Sequence, residues 1–321
     1  MNNFRIVYMG TPDFAVAPLE ALLNAGCNVV GVITNPDKPA GRGQKIQESA
    51  VKKFALKKGL PILQPEKFRN EEFLSQLKEL HADLQVVVAF KMLPEVVWSM
   101  PKYGTLNLHA SLLPQYRGAA PINWAIINGD KETGVSTFLL QHEIDTGNIL
   151  FQEKCSIEES DNVEVIHDKL MNIGSELIVK TVRAIEAGEY SQIPQDSLSD
   201  NLMNLKSAPK IFKDDCKIDW NQDLNSIHNL IRGLSPYPAS WTELIPNIEG
   251  KNIGLKIFES EMDKTPHSEK TGTILTDGKT NLKVAVHGGF ILIKTLQQAG
   301  KKRMKIEDFL RGFQQIRNYH L

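Results

Sequence analysis

The sequence predicts an α/β protein, with a Rossmann-like, mostly parallel sheet in a larger N-terminal domain and a smaller C-terminal β-barrel (OB-like) domain. Three observations carry this. Through residue 188, short apolar runs alternate with segments of helical period, and glycines stand at the turns, as in repeated β-α-β units. Residues 84–90 read Leu-Gln-Val-Val-Val-Ala-Phe, nearly all apolar, as a central strand covered on both faces does. Beyond residue 207, β-type runs come short and closely spaced, the texture of a small barrel.

Taken in order, residues 4–9 form the first strand, which ends at Gly10. Residues 13–25 follow as a helix, with Phe14, Leu19, Leu22 and Leu23 at helical spacing and Gly26 as its stop. Residues 28–33 are the second strand. Helices are predicted over 51–58 and 71–80, strands over 84–90 and 105–109, a helix over 121–127 and a strand over 135–140. Residues 163–187 make a long helix with Ile166, Leu170, Ile173, Leu177 and Ile185 on its apolar side. Asp161 is its expected N-cap, with Glu164 three residues on and Gly188 as the stop. Residues 189–207 are rich in Ser, Asp, Asn, Gln and Pro, show no period, and read as a linker. A helix over 224–234, β-type runs over 240–245, 253–258, 272–276, 282–286 and 290–295, and a last helix over 306–316 complete the chain. The expected domains are 1–188 and 208–321, joined by 189–207.

Composition narrows the function. The 321 residues are 41% hydrophobic and 23% charged, which excludes wholesale disorder and a fibrous fold. Lys plus Arg number 37 against 38 Asp plus Glu, so the overall basic balance of a simple nucleic-acid binder is absent. The charge is divided unevenly, however. Residues 207–321 hold 17 Lys/Arg against 13 Asp/Glu, and residues 1–206 hold 20 against 25. Cys27, Cys155 and Cys216 are odd in number, far apart and outside any Cys-x-x-Cys, which argues against a disulfide framework and a zinc ribbon. The start Met-Asn-Asn-Phe-Arg carries no signal-peptide pattern, and no apolar run approaches the ~20 residues that span a bilayer. A cytoplasmic protein is expected.

Several motifs could carry chemistry. The first turn, Gly10-Thr11-Pro12-Asp13, lacks the glycines of a dinucleotide fingerprint, and no P-loop lysine follows, so a nicotinamide dehydrogenase and a P-loop NTPase are disfavoured. Asn107 and His109 stand two apart at a strand's end, hence on one face, where open α/β sheets place their sites. A carboxamide donor beside an imidazole suits polarisation of a carbonyl and handling of a proton. Taken alone, Asn-x-His reads more simply as a strand end and a satisfied buried histidine. The Gly- and Pro-rich run Ser111-Leu112-Leu113-Pro114-Gln115-Tyr116-Arg117-Gly118 weakens that simpler reading. Asp145, in Asp-Thr-Gly after the 135–140 strand, reads alone as an Asx turn. If its strand neighbours 105–109, it comes near His109, orients the ring and raises its proton affinity. Residues 35–45 make a long β-to-α connection with Lys38, Arg42 and Lys45 against one Asp, suited to an anionic partner or simply solvated. Lys301, Lys302, Arg303 and Lys305 read as a solvated turn or as a contact to a phosphate backbone.

Taken together, Asn-x-His followed by Ser-Leu-Leu-Pro, then Arg-Gly-Ala-Ala-Pro-Ile, Asp-Thr-Gly, the N-terminal Gly-Thr-Pro-Asp-Phe and the loop Pro-Asp-Lys-Pro-Ala-Gly-Arg-Gly closely resemble the methionyl-tRNA formyltransferase family. Ala208-Pro209-Lys210-Ile211 and Lys217-Ile218-Asp219-Trp220 extend the likeness through both domains. The resemblance implies 10-formyltetrahydrofolate as co-substrate and initiator methionyl-tRNA as acceptor; no metal, no membrane and a monomer are the accompanying expectations. It implies Asn107, His109 and Asp145 as the catalytic group. It implies Ser111, Leu112, Leu113, Pro114, Phe90, Met92, Gln141 and Ile144 at the folate, and Arg42, Lys210, Lys301, Lys302 and Arg303 on the tRNA. Two positions depart from the pattern: Phe90-Lys91-Met92-Leu93-Pro94 lacks a glycine and one residue, and Glu143 stands where a glycine is usual. The competing expectations are the same chemistry on a small amine (an amino sugar or glycinamide ribonucleotide), a hydrolase of the folate, and a non-catalytic RNA-binding module. The basic C-terminal domain argues against the first two, and the intact Asn107, His109 and Asp145 against the last.

Overall fold

The computed structural model describes residues 3–40, 45–198 and 205–321, and its contacts divide the chain into two compact units. The first comprises the residues up to Gly118 together with Thr133–Ser156 and His167–Ser207. The second comprises Ala119–Glu132, Ile157–Ile166 and Ala208–Leu321.

The first unit is built on a seven-stranded sheet in the order Ile149–Ser156, Glu132–Leu139, Thr105–His109, Leu84–Val88, Arg5–Gly10, Asn28–Ile33, Ile62–Leu63. Arg5–Gly10 pairs in parallel with both neighbours, as does Leu84–Val88, while Thr105–His109 meets Glu132–Leu139 antiparallel. The expected mostly parallel sheet is therefore present, with an antiparallel margin. All five residues of Leu84–Val88 are buried, which explains the unbroken apolar run. Val7, Met9, Ile33, Val87, Phe73 and Leu77 share one apolar cluster between strands and the Glu71–Glu79 helix.

Several expected boundaries move. The central strand stops at Val88 because Ala89 takes a positive φ of 47° and turns the chain out of the sheet. The strand expected at 135–140 runs from Glu132 to Leu139. Ile149–Ser156 is a strand that the sequence reading left unassigned. Residues 13–25 open as a 3-10 turn, Asp13–Ala15, before the helix Val16–Asn24. The long helix is Val163–Ala187, as expected, but its cap is Asn162 rather than Asp161: the Asn162 side chain accepts the Val165 N–H at 3.0 Å. Asp161 instead accepts the Glu158 N–H at 2.9 Å and closes the preceding turn. The long connection after the second strand contains a short antiparallel ribbon, Lys38–Ala40 with Lys45–Gln47. Arg42 lies outside the described residues. The segment read as a linker is ordered where it is described around Gln195: Ile193 exchanges two 2.9 Å backbone hydrogen bonds with Ile149, and a 3-10 turn covers Gln195–Leu198.

The second unit is a barrel-shaped antiparallel sheet in the order Ile274–Thr276, Leu282–Val286, Gly289–Gln298, Ile253–Asp263, Ser240–Pro246, Tyr319–His320. The helix Leu224–Leu234 starts at Asp223, whose carboxylate accepts the Asn225 and Ser226 N–H groups. Ile227 and Ile231 of that helix join Leu255, Ile257, Val284 and Ile291 in the core. The last helix is shorter than expected, Ile306–Gly312. The helix Pro121–Ile127 packs on Leu224–Leu234 within this unit. Gly233 makes the approach possible, since a Cβ there would sit 2.7 Å from Ile127 Cγ1 and 3.1 Å from its nitrogen. Among the described residues, no helix is long and apolar enough to cross a membrane.

Candidate active site

Asn107 and His109 lie on Thr105–His109, next to the central strand, with register partners Val87 for Asn107 and Ser136 for His109. Period two puts both side chains on one face at the strand's carboxyl end. Asn107 is half-buried, and among the described residues its carboxamide has no hydrogen-bonding partner. That leaves two donors and an acceptor for something else.

His109 is 7% exposed. Its Nε2 lies 2.9 Å from the carbonyl of Tyr116. A carbonyl only accepts, so Nε2 carries the hydrogen and donates, which fixes the ring. Nδ1 is left facing the carboxylate of Asp145, whose Oδ2 is 3.9 Å away. That distance is beyond a hydrogen bond and within ion-pair reach. The same oxygen accepts the Gly118 N–H at 3.0 Å. The pairing of Thr105–His109 with Glu132–Leu139 is what carries Asp145 to the histidine, as the sequence reading required. Asp145 holds a positive φ of 55°, a conformation that aspartate tolerates better than most residues.

The folate-assigned residues divide by burial. Ser111 and Leu113 are buried; the Ser111 hydroxyl donates to Gln115 O at 2.6 Å, and the Leu113 N–H donates to Ser136 Oγ at 3.0 Å. The Leu113 side chain packs with Phe138 and Ile149, and its carbonyl accepts from the Gln152 carboxamide at 2.9 Å, so backbone and side chain are both engaged within the protein there. Leu113–Pro114 is a cis peptide, Pro114 is buried and Leu112 is half-buried. Phe90 packs against Phe68 with ring centroids 5.8 Å apart. Met92 is 76% and Ile144 61% exposed, and Gln141 is exposed too. Met92 and Ile144 are apolar side chains open to being covered, beside the polar Gln141. Lys91 lies over the Phe68 ring at 4.5 Å, and burial, then repulsion from Lys38, pushes its ammonium pKa down.

The described cationic residues assigned to the tRNA are on the surface. Lys210 is exposed, with its ammonium 5.4 Å from the Phe212 ring. Lys301, Lys302 and Arg303 are exposed in the turn after Gly289–Gln298, and the Arg303 guanidinium stacks 4.4 Å over Phe258.

Sequence reasoning missed the residues that hold this arrangement: the Tyr116 carbonyl, Ser136 and Gln195. Ser136 Oγ donates to Ser111 O at 2.6 Å, and the Gln152 carboxamide donates to it at 2.7 Å. Gln195 is 2% exposed and binds two segments at once, Arg117 and the Asp145–Gly147 turn. The one available signal was a polar residue within an unperiodic stretch, which by itself reads as solvent-facing.

A strand-end carboxamide, an imidazole and a carboxylate converging beside unclaimed apolar surface can stabilise charge on a carbonyl oxygen and relay a proton. Comparison with known proteins bears on which chemistry this is. A methionyl-tRNA formyltransferase of Bacteroides fragilis is 59% identical over 312 residues, covering 97% of this chain and 96% of that protein. One from Parabacteroides distasonis is 58% identical over 319 residues, covering 99% and 98%. Among solved structures, the sugar 3N-formyl transferase WlaRD superposes with a TM-score of 0.66 at 22% identity, covering 94% of this chain and 100% of that one. At that identity the likeness speaks for the fold. Residues 4–182 match the formyl transferase family and residues 210–314 its C-terminal domain, so on sequence, fold and site geometry together the chain belongs to the formyl transferase family.

Proposed function

We propose that this chain transfers a formyl group from 10-formyltetrahydrofolate to the α-amine of methionyl initiator tRNA, in the cytoplasm. The observation that carries this reading is the identity of 58–59% over nearly the whole length, second unit included, to proteins named for that reaction. A small amine would make no use of a basic C-terminal domain. The distant likeness to a sugar enzyme is at the level of fold.

In this reading the neutral amine nitrogen attacks the formyl carbon. The carbon becomes tetrahedral and its oxygen gathers negative charge. The Asn107 carboxamide donates to that oxygen. His109 contributes through Nδ1, because Nε2 is held by Tyr116. Asp145 faces the same nitrogen and helps carry the proton lost by the amine to folate N10 as the C–N10 bond breaks. The products are the formylated aminoacyl-tRNA and tetrahydrofolate. Losing an oxyanion donor costs about 10²–10³-fold in rate. Ser111, Leu112, Leu113 and Pro114, with Phe90, Met92, Gln141 and Ile144, take the folate. Arg42, Lys210, Lys301, Lys302 and Arg303 take phosphates.

The test is formyl transfer from 10-formyltetrahydrofolate to methionyl initiator tRNA, beside methionine ester, glycinamide ribonucleotide and amino sugars. Transfer to the charged tRNA alone supports the reading. Transfer to a small amine instead, or release of formate without transfer, overturns it.

A further inference from the structure

We propose that Gln195, acting with Arg117, is a positioning residue for the reaction: it clamps the turn that presents Asp145 to His109. The inference rests on the formyl-transfer reading and adds residues from outside the catalytic group.

Asp145 sits in a turn with a positive φ, a backbone state that persists only where its surroundings enforce it. The Gln195 carboxamide supplies the enforcement. Its nitrogen donates to two carbonyls of that turn, Asp145 O and Gly147 O, each at 2.8 Å. Its oxygen accepts from Arg117, from Nε at 2.9 Å and from a terminal guanidinium nitrogen at 2.7 Å. Both donors and both acceptor sites of one side chain are thereby used, in a place that is 2% exposed. Arg117 is joined through its neighbour to the same group, because the Gly118 N–H holds Asp145 Oδ2. One carboxylate is thus fixed at its backbone by Gln195 and at its side chain by the residue after Arg117.

The segment carrying Gln195 is itself anchored. Ile193, two residues earlier, exchanges backbone hydrogen bonds with Ile149, two residues after Gly147. The register of that bridge sets Gln195 opposite the Asp145–Gly147 turn. Geometry of this kind matters because a 1 Å misplacement of a reacting group can cost about 10²-fold in rate.

The experiment is a double-mutant cycle read by single-turnover formyl transfer to methionyl initiator tRNA, with thermal denaturation of each variant alongside. Gln195→Leu keeps the bulk and removes all four hydrogen bonds. Its expected effect is a fall in kcat of about 10–100-fold, with KM for both substrates within about threefold. In an Asp145→Asn background, the same substitution costs less than about twofold, since the group it positions is already lost. Arg117→Met is the second variant and follows the same pattern if Gln195→Leu fails to fold. A folded Gln195→Leu with wild-type kcat overturns the proposal. So does a Gln195→Leu effect that multiplies undiminished onto Asp145→Asn, which marks a structural role. Wild-type protein inactive on charged tRNA refutes the formyl-transfer reading instead, and the two failures are distinct.

Discussion

Gly147 offers a sharp check on how tightly the Asp145 turn is held. A Cβ added there would lie 1.8 Å from Leu139 O and 2.8 Å from Phe138 Cδ2. The first contact is with backbone in the sheet, so no side-chain rotation relieves it. To regain even 3.0 Å, the turn must move by about 1.2 Å relative to the strand, because packed interiors transmit such strain rather than absorb it. Gly147 is two residues from Asp145 and shares its Gln195 clamp, so the displacement reaches the carboxylate. Gly147→Ala is therefore expected to lower kcat about 100-fold. Gly188→Ala is the control. It has a positive φ of 72° with open space around its would-be Cβ, so alanine costs about 1–2 kcal/mol of backbone strain without pushing on the turn. Steady-state formyl transfer and a thermal melt of both variants decide the matter. A Gly147→Ala enzyme that turns over within about twofold of wild type refutes the argument that this turn's position governs the rate.

Two further outcomes are expected. His109→Ala and Asp145→Asn lose about 10²–10⁴-fold in turnover while tRNA affinity, measured by filter binding, stays within about twofold; unchanged turnover in either removes that residue from the catalytic group. In the second unit, burial and then the nearby Arg232 depress the pKa of His228 from its ordinary 6.5, so the unfolded chain takes up the proton more readily than the folded one. The contribution of this group is fully present above that value and is lost as pH falls below it. The unfolding midpoint of the wild type should drop more steeply from about pH 7 to pH 5 than that of His228→Gln, and parallel profiles count against it.

What the sequence displays and what it hides differ for a physical reason. Asn107 and His109 are legible because strand period and the carboxyl-end rule are local, and two residues suffice to apply them. The central strand is legible because burial on both faces writes itself as an unbroken apolar run. Ile149–Ser156 is not, since its middle residues Gln152, Glu153 and Lys154 are half-buried or exposed at the sheet's margin and break any apolar pattern. The cap of the long helix was off by one position because Asp161 and Asn162 are both good capping types, and only the geometry decides which accepts the Val165 N–H.

Gln195 was invisible for a deeper reason. Its four hydrogen bonds run to residues 48–78 positions away, and a buried glutamine has no periodic signature. Polarity in an unpatterned segment reads as solvation, yet this side chain is almost wholly enclosed. In the proposed mechanism, the enclosure follows from where the reaction needs its carboxylate. Asn107 and His109 are placed by a strand, whose ladder holds them without help. Asp145 must reach His109 from a turn, and a turn with a positive φ supplies too few backbone bonds of its own to stay put. The missing bonds have to come from elsewhere in the chain, from a group that can donate twice and accept twice. A carboxamide meets that requirement without adding a charge beside Asp145. Glutamate at the same position would turn acceptors toward two carbonyls that need donors, while its charge gained only a stronger pair with Arg117. On the proposed role of Gln195, the polarity of the segment read as a linker is, at this residue, a requirement of the site.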